Sequence, residues 1–200
     1  MNDMSRETTW NDVYAVGDRF RTFDQPWAIA GGWALDCFLG EQTRSHGDAE
    51  VAVFREDQHA LREHLSDWTF EVAVPGEERT EPWATGEWLE LPRHELHARN
   101  EAFELPHLEC LLNEHDGERW TFRRDSRVTR DLEKVVRVSE TGMPYLAPDI
   151  VLCYKLPIFG EHDEADFDRV FPQLAPEPRG WLREAILTVD PDHHWLRAFE

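Results

Sequence analysis

Trp27-Ala28-Ile29-Ala30-Gly31-Gly32-Trp33-Ala34-Leu35-Asp36, followed by Thr43-Arg44-Ser45-His46-Gly47-Asp48-Ala49-Glu50-Val51-Ala52-Val53, is the stretch on which the reading of this chain turns. Trp27 to Ala30 is a short apolar run ending at a glycine pair, the pattern of a buried strand leaving through a tight turn. Trp33 to Leu39 then reads as a short helix closed by Gly40. Asp48 to Phe54 is rich in small and β-branched residues and reads as a second strand. Strand side chains alternate between faces, so Asp48 and Glu50 project together while Ala49, Val51 and Val53 enter the opposite, apolar face. Like charges so close are costly unless neutralised, and hard divalent cations neutralise them through oxygen ligation. The same alternation on His107–Asn113 sets Leu108, Cys110 and Leu112 on one face and Glu109 on the other, where it could complete a three-carboxylate cluster. The glycine pair lies between a strand and a helix, where small residues let a phosphate approach backbone amides at a helix N-terminus. A solvated sheet face is the plain alternative for any acidic pair on a strand; the order glycine pair, then acidic pair, points instead to a triphosphate cradle beside a metal clamp.

Outward from this stretch, helices are predicted over residues 10–24, Asp57–Leu65, Ile150–Lys155 after Pro148, Asp163–Leu174 and Arg179–Val189. Further strands are predicted over Thr69–Val74, Trp88–Leu91, Glu95–Arg99, His107–Asn113 and Trp120–Arg123, with an Asp116-Gly117 turn between the last two. The expected fold class is α+β, a mixed sheet flanked by helices with a C-terminal helical part. A soft boundary near residue 126 divides residues 1–126 from a mainly helical 127–200, with the site in the cleft between them.

The charge balance, 21 basic against 41 acidic residues for a net −20, disfavours duplex nucleic acid and favours cationic ligands, although an acidic surface also serves solubility alone. Cys37, Cys110 and Cys153 are far apart, odd in number and set among apolar neighbours, which predicts core residues rather than a disulfide framework or a zinc knuckle. No window approaches the ~18 apolar residues of a membrane helix, and the polar N-terminus MNDMSRETTW has no apolar stretch for a signal peptide. A cytoplasmic protein is expected.

The two quoted motifs resemble those of the polymerase-beta-type nucleotidyltransferase superfamily, and within it the small aminoglycoside and lincosamide adenylyltransferase-like proteins. Leu108–Glu114, Trp120–Arg124 and Tyr145–Lys155 also look like later segments of such proteins. The resemblance implies two Mg²⁺ ions held by Asp48 and Glu50 with Glu109 as a third carboxylate that activates the acceptor hydroxyl. It further implies ATP or another nucleoside triphosphate at Gly31 and Gly32, and phosphate contacts from Arg44 and Lys155. The implied reaction is transfer of AMP onto a hydroxyl of a small, cationic acceptor such as an antibiotic. The sequence departs from the commonest family form at Gly32, where serine often stands, and at Glu50 and Glu109, where aspartate is commoner.

Other signals admit two readings each. Arg44 and His46 are either loop residues pairing with local acids or phosphate and substrate contacts, and Lys155 is either a helix-end cation or a phosphate ligand. The acidic group Glu161, Asp163, Glu164, Asp166 and Asp168 is a solvated helix face or an acceptor wall. Trp83 and Trp88 are core residues or stacking platforms. His193-His194 is an exposed turn or an adventitious metal site, and His94-Glu95-Leu96-His97 has the wrong spacing for a zinc-protease helix. Two rival functions stay open: modification of a protein or RNA end, for which Arg119, Arg123, Arg124, Arg127 and Arg130 could build a basic groove, and an antitoxin-like binding module without turnover. The oligomeric state is not legible.

Overall fold

The computed structural model describes residues 7–156 and 160–200. Helix α1 (Trp10–Phe20) starts where Thr9 donates its backbone N–H and its hydroxyl to the Asp12 carboxylate, each at 2.8 Å. It buries Val13, Val16 and Phe20 at helical spacing. It stops short of the predicted residue 24, because Phe23 folds back to donate to the Phe20 carbonyl and packs edge-on against the Phe20 ring. Strand β1 (Trp27–Ile29), helix α2 (Gly31–Leu39), strand β2 (Glu50–Phe54) and helix α3 (Gln58–His64) follow. Gly40 closes α2 at φ +77°, a left-handed turn that suits glycine.

The sheet continues with β3 (Thr69–Ala73), β4 (Thr80–Pro82), β5 (Glu95–Arg99), β6 (His107–Asp116), β7 (Arg119–Thr121), β8 (Thr129–Asp131), β9 (Val136–Val138) and β10 (Pro144–Leu146). Its order is β4-β3-β5-β6-β2-β1-β10-β9, with β7 and β8 continuing from the end of β6. The pairs β1–β10 and β2–β6 are parallel and the others antiparallel, so the sheet is mixed, as expected. Val51, Val53, Leu96, Ala98, Leu108, Cys110 and Leu112 are all buried on one side of the central strands. All three cysteines are buried and free.

Residues 88–91 do not form the predicted strand. Leu89 donates to the Gln58 amide oxygen at 2.7 Å, and its carbonyl accepts from Arg55 at 3.0 Å and from Gln58 at 3.2 Å. Side chains satisfy this backbone, so no ladder is needed. Strands β8, β9 and β10 lie beyond residue 126, and β10 pairs with the central strand β1.

The C-terminal helices are α4 (Pro148–Lys155), α5 (Glu161–Val170) and α6 (Pro176–Val189), with α4 packed against the other two and α2 touching both α4 and α5. Buried Arg130 on β8 ties the sheet to them, meeting Asp149 of α4 at 2.7 Å and Glu177 of α6 at 2.9 Å. Burial raises the Asp149 carboxyl to about 6 despite the Arg130 charge beside it. No helix among the described residues is long and apolar enough to cross a membrane.

Candidate active site

The central ladders bring the acidic residues together by register. Glu50 of β2 pairs with Glu109 of β6, and Glu109 pairs in turn with His97 of β5. Adjacent strands lie about 4.8 Å apart, so the side chains of such partners are neighbours on one face. Asp48 precedes β2 by two residues. Its carbonyl is fixed by the Thr8 hydroxyl at 3.0 Å and the Trp33 indole N–H at 3.2 Å. Burial, and then the carboxylates of Asp48 and Glu109, push the Glu50 carboxyl up to about 8. Burial, Asp48 and Glu95 push Glu109 up to about 7, while His97 works the other way.

The glycine pair makes room for this cluster. Gly31 stands at φ +55°, and a Cβ there would fall 1.3 Å from Glu50 Oε2, so both the backbone and the carboxylate require glycine. A Cβ on Gly32 would lie 2.4 Å from Arg44 Nη2 and 2.5 Å from His46 Cε1. The first turn of α2, which begins at this pair, leaves its leading amides without intrahelical partners and carries no acidic residue.

Beside the cluster opens a cavity of about 300 Å³, bounded by the glycine pair, Glu50 and Glu95 on one side and by Asn113, Tyr154 and four cations, Arg44, Arg123, Arg124 and Lys155, on the others. Burial, and for Arg123 also the charge of Arg124, lowers the pKa of both arginines. Arg124 donates to the Tyr154 carbonyl at 2.6 Å, and the Arg123 guanidinium lies 5.4 Å from the Tyr154 ring centre. In a chain of net −20, this is a local concentration of positive charge.

The sequence profile of the aminoglycoside-2''-adenylyltransferase family matches residues 12–138, well over half the chain and including the glycine pair and all three carboxylates. The chain belongs to this family. It is therefore a nucleotidyltransferase of the superfamily that the glycine and acidic motifs resemble. No curated protein matches the chain. Among solved structures, the lincosamide antibiotic adenylyltransferase LnuA with bound lincomycin matches at a TM-score of 0.58 and 16% identity, over 83% of this chain and 98% of the other. ANT(2'')-Ia in complex with adenylyl-2''-tobramycin matches at 0.56 and 16%, over 90% and 97%. The solution structure of ANT(2'')-Ia matches at 0.57 and 14%, over 96% and 100%. At these identities the likeness speaks for the fold.

Within this family member, Glu50, Gly31, Gly32, Arg44 and Lys155 line the cavity, whereas Asp48, just ahead of β2, and Glu109 on β6 are outside its lining. Arg44 and Lys155 are not free cations. Arg44 meets buried Asp166 at 3.3 Å, and Lys155 meets Asp166 at 3.0 Å and Asp163 at 2.5 Å. Asp163 and Asp166 are accordingly not a solvated face: they bridge α5 to the α2–β2 loop and to α4, and Asp163 also lines the cavity. His46 is taken up by Asp36 at 2.6 Å, and Asp36 also accepts from the Thr43 hydroxyl at 2.7 Å, which makes His46 part of the scaffold for the acidic motif. The five arginines do not form one basic groove: Arg119 pairs with Asp131, Arg127 with Asp125 and Arg130 with Asp149, leaving Arg123 and Arg124 at the cavity. Trp83 is buried under the Arg62 guanidinium, and half-exposed Trp88 lies against His59, away from the cavity lining. His194 pairs with Glu164.

Asn113 and Tyr154 were missed from sequence. Asn113 Oδ1 accepts from the Trp120 indole at 3.1 Å and from the Tyr154 hydroxyl at 2.9 Å, which locks the cavity wall between β6, β7 and α4. The strand alternation that found Glu109 also puts Asn113 on the same face, and that was the available signal.

Proposed function

We propose that this protein transfers AMP from ATP onto a hydroxyl of a small cationic molecule of the aminoglycoside type, with Asp48 and Glu50 holding Mg²⁺. The observation that carries the reading is the register Glu50–Glu109 on adjacent parallel strands, set directly against Gly31. The donor set fits a hard divalent cation by its chemistry, carboxylate oxygens from Asp48 and Glu50, and Glu50 is pushed up to about 8 by burial and by the charges of Asp48 and Glu109, which Lys155 offsets only in part. Bound there, Mg²⁺ supplies charge neutralisation at the polyphosphate. Arg123 and Arg124, whose charges are disfavoured by their surroundings, gain from an anionic ligand, which supports them as triphosphate contacts alongside Arg44 and Lys155. The relatives named for lincosamide and aminoglycoside chemistry support an antibiotic acceptor.

In this reading the acceptor oxygen attacks the α-phosphorus, the bond to pyrophosphate breaks, and the hydroxyl proton passes to the Glu109 carboxylate. Glu50 and Glu95 line the cavity and the charges of Asp48 and Glu109 reach Glu50, a negative field that favours an ammonium-bearing acceptor. The test is pyrophosphate release by the purified chain with Mg²⁺, each nucleoside triphosphate in turn, and a panel of aminoglycosides, lincosamides and neutral polyols. Release with ATP and a cationic acceptor is expected. Tight nucleotide binding with no release for any acceptor would replace the reading with a binding module.

A further inference from the structure

We infer that His97, His107 and Glu109 form a binding site for a transition-metal dication, Zn²⁺ being the best match, separate in chemistry from any oxygen-ligated Mg²⁺. His97 Nδ1 lies 3.1 Å from His107 Nε2 and 4.0 Å from Glu109 Oε1, and one ligand atom from each of the three residues lies within 4.8 Å of the others. Ligands bound to a tetrahedral Zn²⁺ at about 2.0–2.1 Å are about 3.3 Å apart, so the two nitrogens already stand close to the needed spacing. Two histidines and a glutamate are a ligand set that zinc sites use, with a fourth position left for water or substrate. Imidazole nitrogens also discriminate against Mg²⁺, which prefers oxygen.

The arrangement is held from behind. His97 offers Nδ1 to the cluster while its other nitrogen, Nε2, lies 3.0 Å from Glu95 Oε1. A carboxylate on the far nitrogen fixes the tautomer and points the lone pair of Nδ1 at the cluster, the arrangement typical of metal-bound histidines. The rings of His97 and His107 are stacked at 14°, and the antiparallel ladder of β5 and β6 sets their backbones rigidly. His97 and Glu109 are only 16% and 18% exposed at the side chain, so an ion there is partly shielded yet reachable.

An ion at this position occupies Glu109. If Glu109 accepts the acceptor proton, as proposed above, the site makes turnover sensitive to Zn²⁺; that consequence, unlike the site itself, rests on the proposed function. Binding is measured without nucleotide or acceptor, so a failure here is distinct from a failure of nucleotidyl transfer. The chelator-stripped full chain is titrated with Zn²⁺ against a chromophoric chelator in excess Mg²⁺, and with Co²⁺ while its visible d–d absorption is recorded. One Zn²⁺ equivalent is expected, with a Co²⁺ spectrum of low coordination number. His97→Ala and His107→Ala should each weaken Zn²⁺ binding about tenfold or more, and Glu95→Gln about tenfold, with thermal melts confirming that the variants fold. His193→Ala should leave the site intact. Zn²⁺ affinity equal in wild type and His107→Ala, loss of binding on His193→Ala alone, or no binding at all, leaving only an imidazole–imidazole hydrogen bond, would overturn the proposal.

Discussion

The sheet face and helix α5 both carry clustered carboxylates, and the protein treats them oppositely. On α5, Asp163 and Asp166 are met by Lys155 and Arg44 at 2.5–3.3 Å. On the sheet, Glu50 and Glu109 have each other, Asp48 and Glu95 for neighbours, and burial and these charges drive them to about 8 and about 7, with Lys155 and His97 offsetting this only in part. Satisfied acids hold elements in place, whereas unsatisfied ones store a demand for positive charge that an incoming cation can meet. The difference separates the part of the cleft that shapes it from the part that acts.

The sharpest way to break this contrast is Asp48→Ala. On the sheet side it should lower turnover by about a thousandfold or more while the fold persists, as read by pyrophosphate release and circular dichroism. Next in size is Gly31→Ala, which forces a methyl into the Glu50 carboxylate and a strained positive φ onto alanine. Turnover should fall about a hundredfold, with a loss of about 1–2 kcal/mol in denaturant unfolding. On the α5 side the effect should be on stability instead. Asp166→Ala removes a buried partner from both Arg44 and Lys155 and should cost about 1–3 kcal/mol in urea unfolding.

The smallest effect concerns pH. A folded-state carboxyl raised from the usual 4.5 to about 8 keeps a proton that the unfolded chain releases, so stability falls as pH rises through that window. In metal-free protein, Glu50→Gln should therefore stabilise relative to wild type by a few degrees in melting temperature near pH 8 and change little near pH 4.5. An equal effect at both pH values would show that Glu50 is not the strained group.

How much of this was legible beforehand follows from the lengths of the signals. The Gly31-Gly32 turn, the alternation on β2 and the long β6 each extend over enough residues for a period or a motif to declare itself. Strands β4, β8, β9 and β10 have three residues each, too few for alternation, and so nothing in the sequence announces that β10 pairs with β1. Arg44 and Asp166 are 122 residues apart, and nothing local distinguishes an acid destined for a distant arginine from one left in solvent. Likewise Trp88–Leu91 has strand composition, but its backbone partners are the side chains of Arg55 and Gln58, which only the tertiary fold supplies.

The demand for positive charge on the sheet face is tested most directly by calorimetric titration of ATP into the chain with and without Mg²⁺. Binding at least tenfold tighter with Mg²⁺, and loss of that dependence in the Asp48→Ala, Glu50→Gln double variant, is expected. ATP affinity indifferent to Mg²⁺ in the wild-type protein would contradict the account.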